Sequence, residues 1–155
     1  MTDDTLSSPA TQPAPTWQAP DLIPTLRYRD APAAIAWLQR AFGFERHAVY
    51  EDPDDPAIVH HAELRFGSGM LMLGSARESL GPEWAVLTPD QAGGATGAIY
   101  AIVDDPDAHC ARAKAAGAGI LREPADQDYG SRDYMARDPE GHVWSFGTYR
   151  PTRSG

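Results

Sequence analysis

Cysteine is almost missing from this chain. Cys110 is the only one, so no disulfide can close within it, and a small fold held by such staples is excluded. No apolar run approaches the roughly 18 residues that a membrane-spanning helix needs. Basic residues are scarce, 13 Lys and Arg against 22 Asp and Glu, for a formal net charge of −9. A surface of that sign repels phosphate backbones and anionic lipid, which argues against nucleic-acid and membrane partners. The opening Met1-Thr2-Asp3-Asp4 has neither the basic start nor the apolar stretch of a secretory signal, and the expected compartment is therefore the cytoplasm. Gly-x-Gly-x-x-Gly, phosphate-loop, Gly-x-Ser-x-Gly and His-Glu-x-x-His motifs are all absent, which removes the best-marked nucleotide-binding, hydrolase and zinc-protease chemistries.

What is present is an ordinary globular composition, 42% hydrophobic and 23% charged in 155 residues, enough for one domain. Residues 1–21 carry Pro9, Pro13, Pro15 and Pro20 among small polar residues and read as an extended tail. Trp17 is the exception, since an indole in such a tail calls for a docking place. Beyond the tail lies a repeat. Asp30-x-Pro32-x-Ala34 with Arg40-Ala41-x-Gly43 recurs as Asp104-x-Pro106-x-Ala108 with Lys114-Ala115-x-Gly117. Each copy predicts one helix, over about 31–42 and 105–116, with an Asp cap, a Pro in the first turn and a Gly past the end. The second is expected to bury mostly alanine.

An apolar strand precedes each helix (22–28 and 97–103), and three strands follow it: 44–51, 58–66 and 69–74, then 119–123, 132–137 and 142–148. The pattern is βαβββ twice. It predicts an α+β fold in which two modules, 22–74 and 97–149, form a curved mixed sheet with helices on the convex side. Residues 75–96 link them and 150–155 form a short C-terminal tail. One module is too small to bury its helix and one sheet face alone, so two must share a core, within the chain or across a two-fold partner. Leu64, Phe66, Trp144 and Phe146 are expected on the helix side. The alternate positions line a concave face where a ligand would sit.

Asp30-Ala31-Pro32 leading into Ala41-Phe42-Gly43-Phe44, then Ala62-Glu63-Leu64, and finally Arg137-Asp138-Pro139-Glu140-Gly141-His142-x-Trp144 resemble the vicinal oxygen chelate superfamily. That superfamily spans glyoxalase I, extradiol dioxygenases, fosfomycin-resistance enzymes and bleomycin-binding proteins. The resemblance covers about residues 22–149 and implies the fold far more strongly than an activity. Its enzymes hold a divalent metal with His or Glu side chains from both halves. The resemblance places those ligands at Ile23 (or Pro24), Glu63, Ala98 and Ser145, so only Glu63 offers a strong donor. No metal or cofactor is expected.

Glu63 shares a strand face with His61 and Arg65. Two readings fit: mutually satisfied polar groups on a half-exposed sheet, or a ligand anchor and general base with His61 as its proton partner. His47, His60, His109 and His142 have no metal-like spacing, His142 reads as structural, and Cys110 as a small buried hydrophobe. Trp37 and Trp144 read as core, whereas Trp84 in the linker is placed to stack on a ligand or to plug an interface. Tyr129 reads as a similar lid residue. The candidate ligand-binding set is His61, Glu63, Arg65, Trp84, Tyr100, Asp133, Met135 and Ser145. The leading expectation is a homodimeric protein that sequesters a small molecule, a cationic aromatic one being favoured by the acidic balance. The alternative is a lyase, isomerase or transferase using Glu63 as base or an atypical metal site.

Overall fold

The computed structural model describes residues 17–77 and 86–152. Trp84 and residues 1–16 of the tail lie outside the described residues. The first module is β1 (Thr25–Tyr28), α1 (Ala31–Phe42), β2 (Glu45–Glu51), β3 (Val59–Phe66) and β4 (Gly69–Ser75). A single helical turn, α2 (Pro89–Ala92), interrupts what the sequence presented as a structureless linker. The second module is β5 (Ala98–Ile102), α3 (Pro106–Ala115), β6 (Gly119–Asp126), β7 (Arg132–Arg137) and β8 (Val143–Gly147). The α+β architecture of two βαβββ modules is therefore as expected. Hydrogen bonding, however, divides the strands into two four-stranded sheets, ordered β1-β4-β3-β2 and β5-β8-β7-β6. In each, the first strand pairs parallel to the last and the other pairings are antiparallel.

Local chemistry sets the helix ends. Asp30 accepts a hydrogen bond from the Ala33 amide, and Gly43 closes α1 in the left-handed region at φ 83°, where a side chain would be strained. In α3 the cap is Asp105 rather than Asp104, and it accepts from the Ala108 amide. The shift of one residue puts Pro106 at the first helical position, where its missing N–H costs nothing. The expectation of an alanine-lined buried side fails for α3. It buries Pro106, Cys110 and Ala113 and leaves Ala108, Ala111 and Ala115 exposed, because three residues of a ten-residue helix suffice to meet its sheet and α1.

One apolar core runs through both modules. Leu64, Leu71 and Leu73 of the first sheet meet Tyr134, Trp144 and Phe146 of the second around Leu38, Phe42 and Phe44. The Phe42 ring lies 5.5 Å from Trp144 and 4.6 Å from Phe146, and fully burying each such side chain is worth about 1.5–3 kcal/mol. Period-two alternation then turns the remaining strand positions to the open face of each sheet.

A polar clasp holds the modules in place, and the closing Asp-Pro-Glu-Gly-His run supplies it. Asp138 is buried and accepts from the Tyr28 hydroxyl at 2.6 Å, the Trp144 indole N–H at 3.2 Å, and the Glu140 and His142 amides. Burial and the Asp138 carboxylate push the Tyr28 phenol well above its ordinary range, so it stays a donor. Glu140 accepts from the Arg29 and Asp30 amides, and His142 Nε2 donates to the Arg27 carbonyl at 2.9 Å. His142 is structural, as its sequence position suggested. A second tie links the helices. His109 on α3 reaches the Phe42 carbonyl through Nε2 at 2.9 Å and the Tyr134 hydroxyl through Nδ1 at 2.5 Å, and the Trp37 indole donates to the Ala116 carbonyl at 2.7 Å.

Candidate functional site

The open face of the first sheet gathers polar groups that the sequence scatters over fifty residues. On β3, His61, Glu63 and Arg65 share this face, as alternation required. His61 Nε2 donates to Glu63 Oε2 at 2.9 Å, and His47 Nε2 lies 3.8 Å from Glu63 Oε1. Tyr50 stacks on His61 with ring centroids 6.0 Å apart. His47 carried no spacing signal. It reaches this face because the β2–β3 register slips between Arg46 and Ala48, and a bulge re-aims the side chain beside it.

Trp17 docks here too. Its indole sits 4.1 Å from the Arg65 guanidinium carbon and 5.4 Å from the His47 ring centroid. A cation over a π face and a neighbouring ring make a slot that accepts a flat aromatic group. The tail segment from residue 17 onward therefore belongs with the sheet rather than with the extended tail. Trp17 Nε1 and Arg65 Nε are both buried with no hydrogen-bond partner among the described residues, an arrangement that native interiors seldom tolerate.

The same face carries a further arginine, Arg27, which alternation along β1 points to. Arg27 stands on β1 opposite Gly74 of β4, while its neighbour Tyr28 turns into the core. Its guanidinium crosses over Gly74 so closely that a Cβ there would lie 2.5 Å from Arg27 Nη1. Arg77 follows β4. The acidic balance of the whole chain does not extend to this surface.

The second sheet presents a smaller arrangement. Asp133 accepts from the Tyr129 hydroxyl at 2.5 Å and from the Ser131 hydroxyl. Its carboxylate occupies the space above Gly147 that any side chain at that position would need. Tyr100 donates to the Tyr149 carbonyl at 3.0 Å. Arg122, Tyr129, Asp133, Met135 and Ser145 line a cleft of about 100 Å³. Thus the structure joins His61, Glu63 and Arg65 in one group and Asp133, Met135 and Ser145 in another, with Tyr100 beside the second. No described contact links the two groups. Larger hollows of about 590 and 580 Å³ flank the module junction. The first is lined by Asp138 and Glu140, whose oxygens the clasp already uses, and the second by few groups with chemistry to offer.

Register also fixes how the halves correspond. Tyr100 pairs with Ser145 and Met135 with Ser145, just as Thr25 pairs with Met72 and Glu63 with Met72. By internal symmetry the mate of Ser145 is Met72, and Glu63 is the mate of Met135. Glu63 thus stands one strand away from the position equivalent to Ser145. Among the described residues, no three His, Cys, Asp or Glu side chains form a group that could hold a metal ion, and no helix is long and apolar enough to cross a membrane.

Comparison with known proteins agrees with this architecture. A family model described as Glyoxalase/Bleomycin resistance protein/Dioxygenase superfamily matches residues 23–146. An uncharacterized protein of Mycobacterium bovis is 35% identical over 129 residues, which are 83% of this chain and 82% of that protein. The crystal structure of TioX from Micromonospora sp. ML1 aligns with a TM-score of 0.63 at 29% identity, covering 86% of this chain and 98% of that one. Glyoxalase I from Zea mays aligns with a TM-score of 0.61 at 20% identity, covering 84% of this chain and 45% of that one. At that identity the likeness concerns the fold alone.

Proposed function

The chain belongs to the Glyoxalase/Bleomycin resistance protein/Dioxygenase superfamily, and we propose that it binds a small planar aromatic molecule, without a metal and without turnover, on the open face of its first module. The observation that carries this reading is the Trp17 slot. The chain lays its own indole against Arg65 and beside His47, so the face has the shape and charge to hold a flat ring. A ligand would either displace Trp17 or stack upon it. Glu63, braced by His61 at 2.9 Å, is the anchor for any donor the ligand carries.

The donor set supports the metal-free reading. Ile23, Met72, Ala98 and Ser145 offer alkyl groups, a thioether and a hydroxyl, which do not fit a divalent ion that prefers imidazole or carboxylate. The His61–Glu63 pair also favours one alternative, an enzyme in which Glu63 removes a proton and His61 relays it. Consumption of a bound compound would select that alternative.

The test is a titration of intrinsic tryptophan fluorescence with a panel of aromatic compounds, on protein purified without added metal. A binder should quench the signal, and Glu63→Gln should weaken it by roughly 1–3 kcal/mol, the cost of losing a charged hydrogen bond. Chelator should leave the melting curve unmoved. Stoichiometric metal that is lost on mutating Glu63 would overturn the proposal.

A further inference from the structure

The aromatic slot leaves two nearby arginines unused. Arg27 and Arg77 each bury a guanidinium Nε that has no hydrogen-bond partner among the described residues. Neither they nor Arg65 make an ion pair with any described carboxylate. Two guanidinium groups close enough to feel each other's charge, in partly desolvated surroundings, repel one another and lose hydration, which is costly unless an anion joins them. Burial, and then the Arg77 charge, lower the Arg27 pKa from its ordinary value. That is the response of a cation held near a like charge.

Gly74 gives a second, independent sign that this place is built. Arg27 pairs with Gly74 across β1 and β4, and the guanidinium lies where a side chain at 74 would stand. The equivalent glycine of the second module, Gly147, makes room for the Asp133 carboxylate instead. The repeat therefore keeps a glycine floor in both halves and places opposite charges over it. With the Arg27 guanidinium over its glycine floor, module one presents the planar donor fork that matches an oxyanion in two-point fashion.

We infer that Arg27 and Arg77 bind an oxyanion group, carboxylate or phosphate, on the ligand whose aromatic part enters the Trp17 slot. The inference rests on the aromatic-binding reading for the second half of that sentence and stands on its own for the first. It replaces the cationic ligand that the net charge alone suggested. Spacing sets the size. The Arg27–Gly74 pair is level with His61, and Arg65 lies four residues further along β3, about 13 Å at 3.3 Å per residue. The ligand is thus an elongated aromatic acid of roughly two rings. Glu63 lies midway, available to a donor on the ligand and unfavourable to a second anion.

Calorimetric titration of the full chain with four probes tests this: biphenyl-4-carboxylate, biphenyl-4-yl phosphate, neutral 4-phenylbenzyl alcohol and inorganic phosphate. The acids should bind at least tenfold more tightly than the alcohol, and the tighter of the two identifies the oxyanion. Arg27→Met and, separately, Arg77→Met should each remove about tenfold or more for the acids and leave the alcohol unchanged. Gly74→Ala, which keeps every charge but displaces the Arg27 guanidinium, should weaken the acids several-fold. Arg40→Met, on the exposed side of α1, serves as the charge-matched control and should do nothing. Melting curves establish that each variant is folded, and having two arginine variants keeps the test decisive if one is not. Equal binding of acid and alcohol, unaffected by either variant, would overturn the oxyanion site and leave aromatic binding standing. Binding of phosphate alone, lost in Arg27→Met, would do the reverse. Silence from all four probes would overturn both.

Discussion

At the residue scale, the most conspicuous motif of the sequence is used for construction. Asp-Pro-Glu-Gly-His looks like a place for acid–base chemistry, yet its carboxylates and imidazole are spent on Tyr28, on Trp144 and on backbone groups of the other module. Asp138→Ala would strand a buried phenol, an indole N–H and two amides at once. Each unsatisfied group costs about 1–3 kcal/mol, partly relieved by water and relaxation, so a loss of about 3–5 kcal/mol is expected. Urea unfolding, followed by tryptophan emission, measures it. Asp138→Asn should cost less, because one oxygen still accepts. If both variants unfold with the parent, the clasp is not what couples the modules.

At the scale of elements, α1 and α3 meet through His109, and their junction should respond to pH. Nε2 must donate to the Phe42 carbonyl and Nδ1 accept from the Tyr134 hydroxyl, which fixes a neutral tautomer. Burial, as the main cause, lowers the His109 pKa from its ordinary 6.5. An unfolded chain protonates this ring at higher pH than the folded one does. Between the two values the unfolded state binds more protons, so stability falls as pH drops below about 6.5 and levels off once the folded ring is also charged. Above 6.5 both states are neutral and His109 contributes no slope. His109→Gln, which keeps a donor but cannot titrate, should be less stable at pH 7 and should lose less on going from about pH 6.5 to 5. Urea midpoints across that range decide it. Parallel curves for parent and variant would remove His109 from the account.

At the scale of the whole molecule, each sheet ends in edge strands that are unpaired among the described residues, β1 and β2 in the first and β5 and β6 in the second. Exposed edges invite pairing. Module one also carries Arg27 and Arg65 on its open face, and module two carries Asp133 and Tyr129 on its own. A second copy related by a two-fold axis would set one against the other twice, since such an interface repeats each contact. Light scattering on a size-exclusion column should report about twice 16.8 kDa, and raised salt should shift the balance toward monomer. A monomer at micromolar concentration in low salt would refute the pairing.

The sequence by itself determined the elements, their order and their inward faces. Asp caps, early prolines and terminal glycines are local signals, and alternation in β3 and β8 placed Leu64, Trp144 and Phe146 in the core because a strand's two faces are set by period two alone. It also brought out Glu63, His61 and Arg65, which lie on one strand. The rest needed contacts between residues far apart in the chain. His47 joins Glu63 only through a slipped register, Trp17 docks only where Arg65 and His47 converge, and Arg27 lies over Gly74 only because β1 runs parallel to β4. The resemblance placed one ligand position at Glu63 on β3 and another at Ser145 on β8, whereas strand pairing makes Met72 on β4 the first-module counterpart of Ser145. A one-dimensional pattern records which face a side chain takes; which other side chains share that face is decided by strand order and register, and these are properties of the folded sheet.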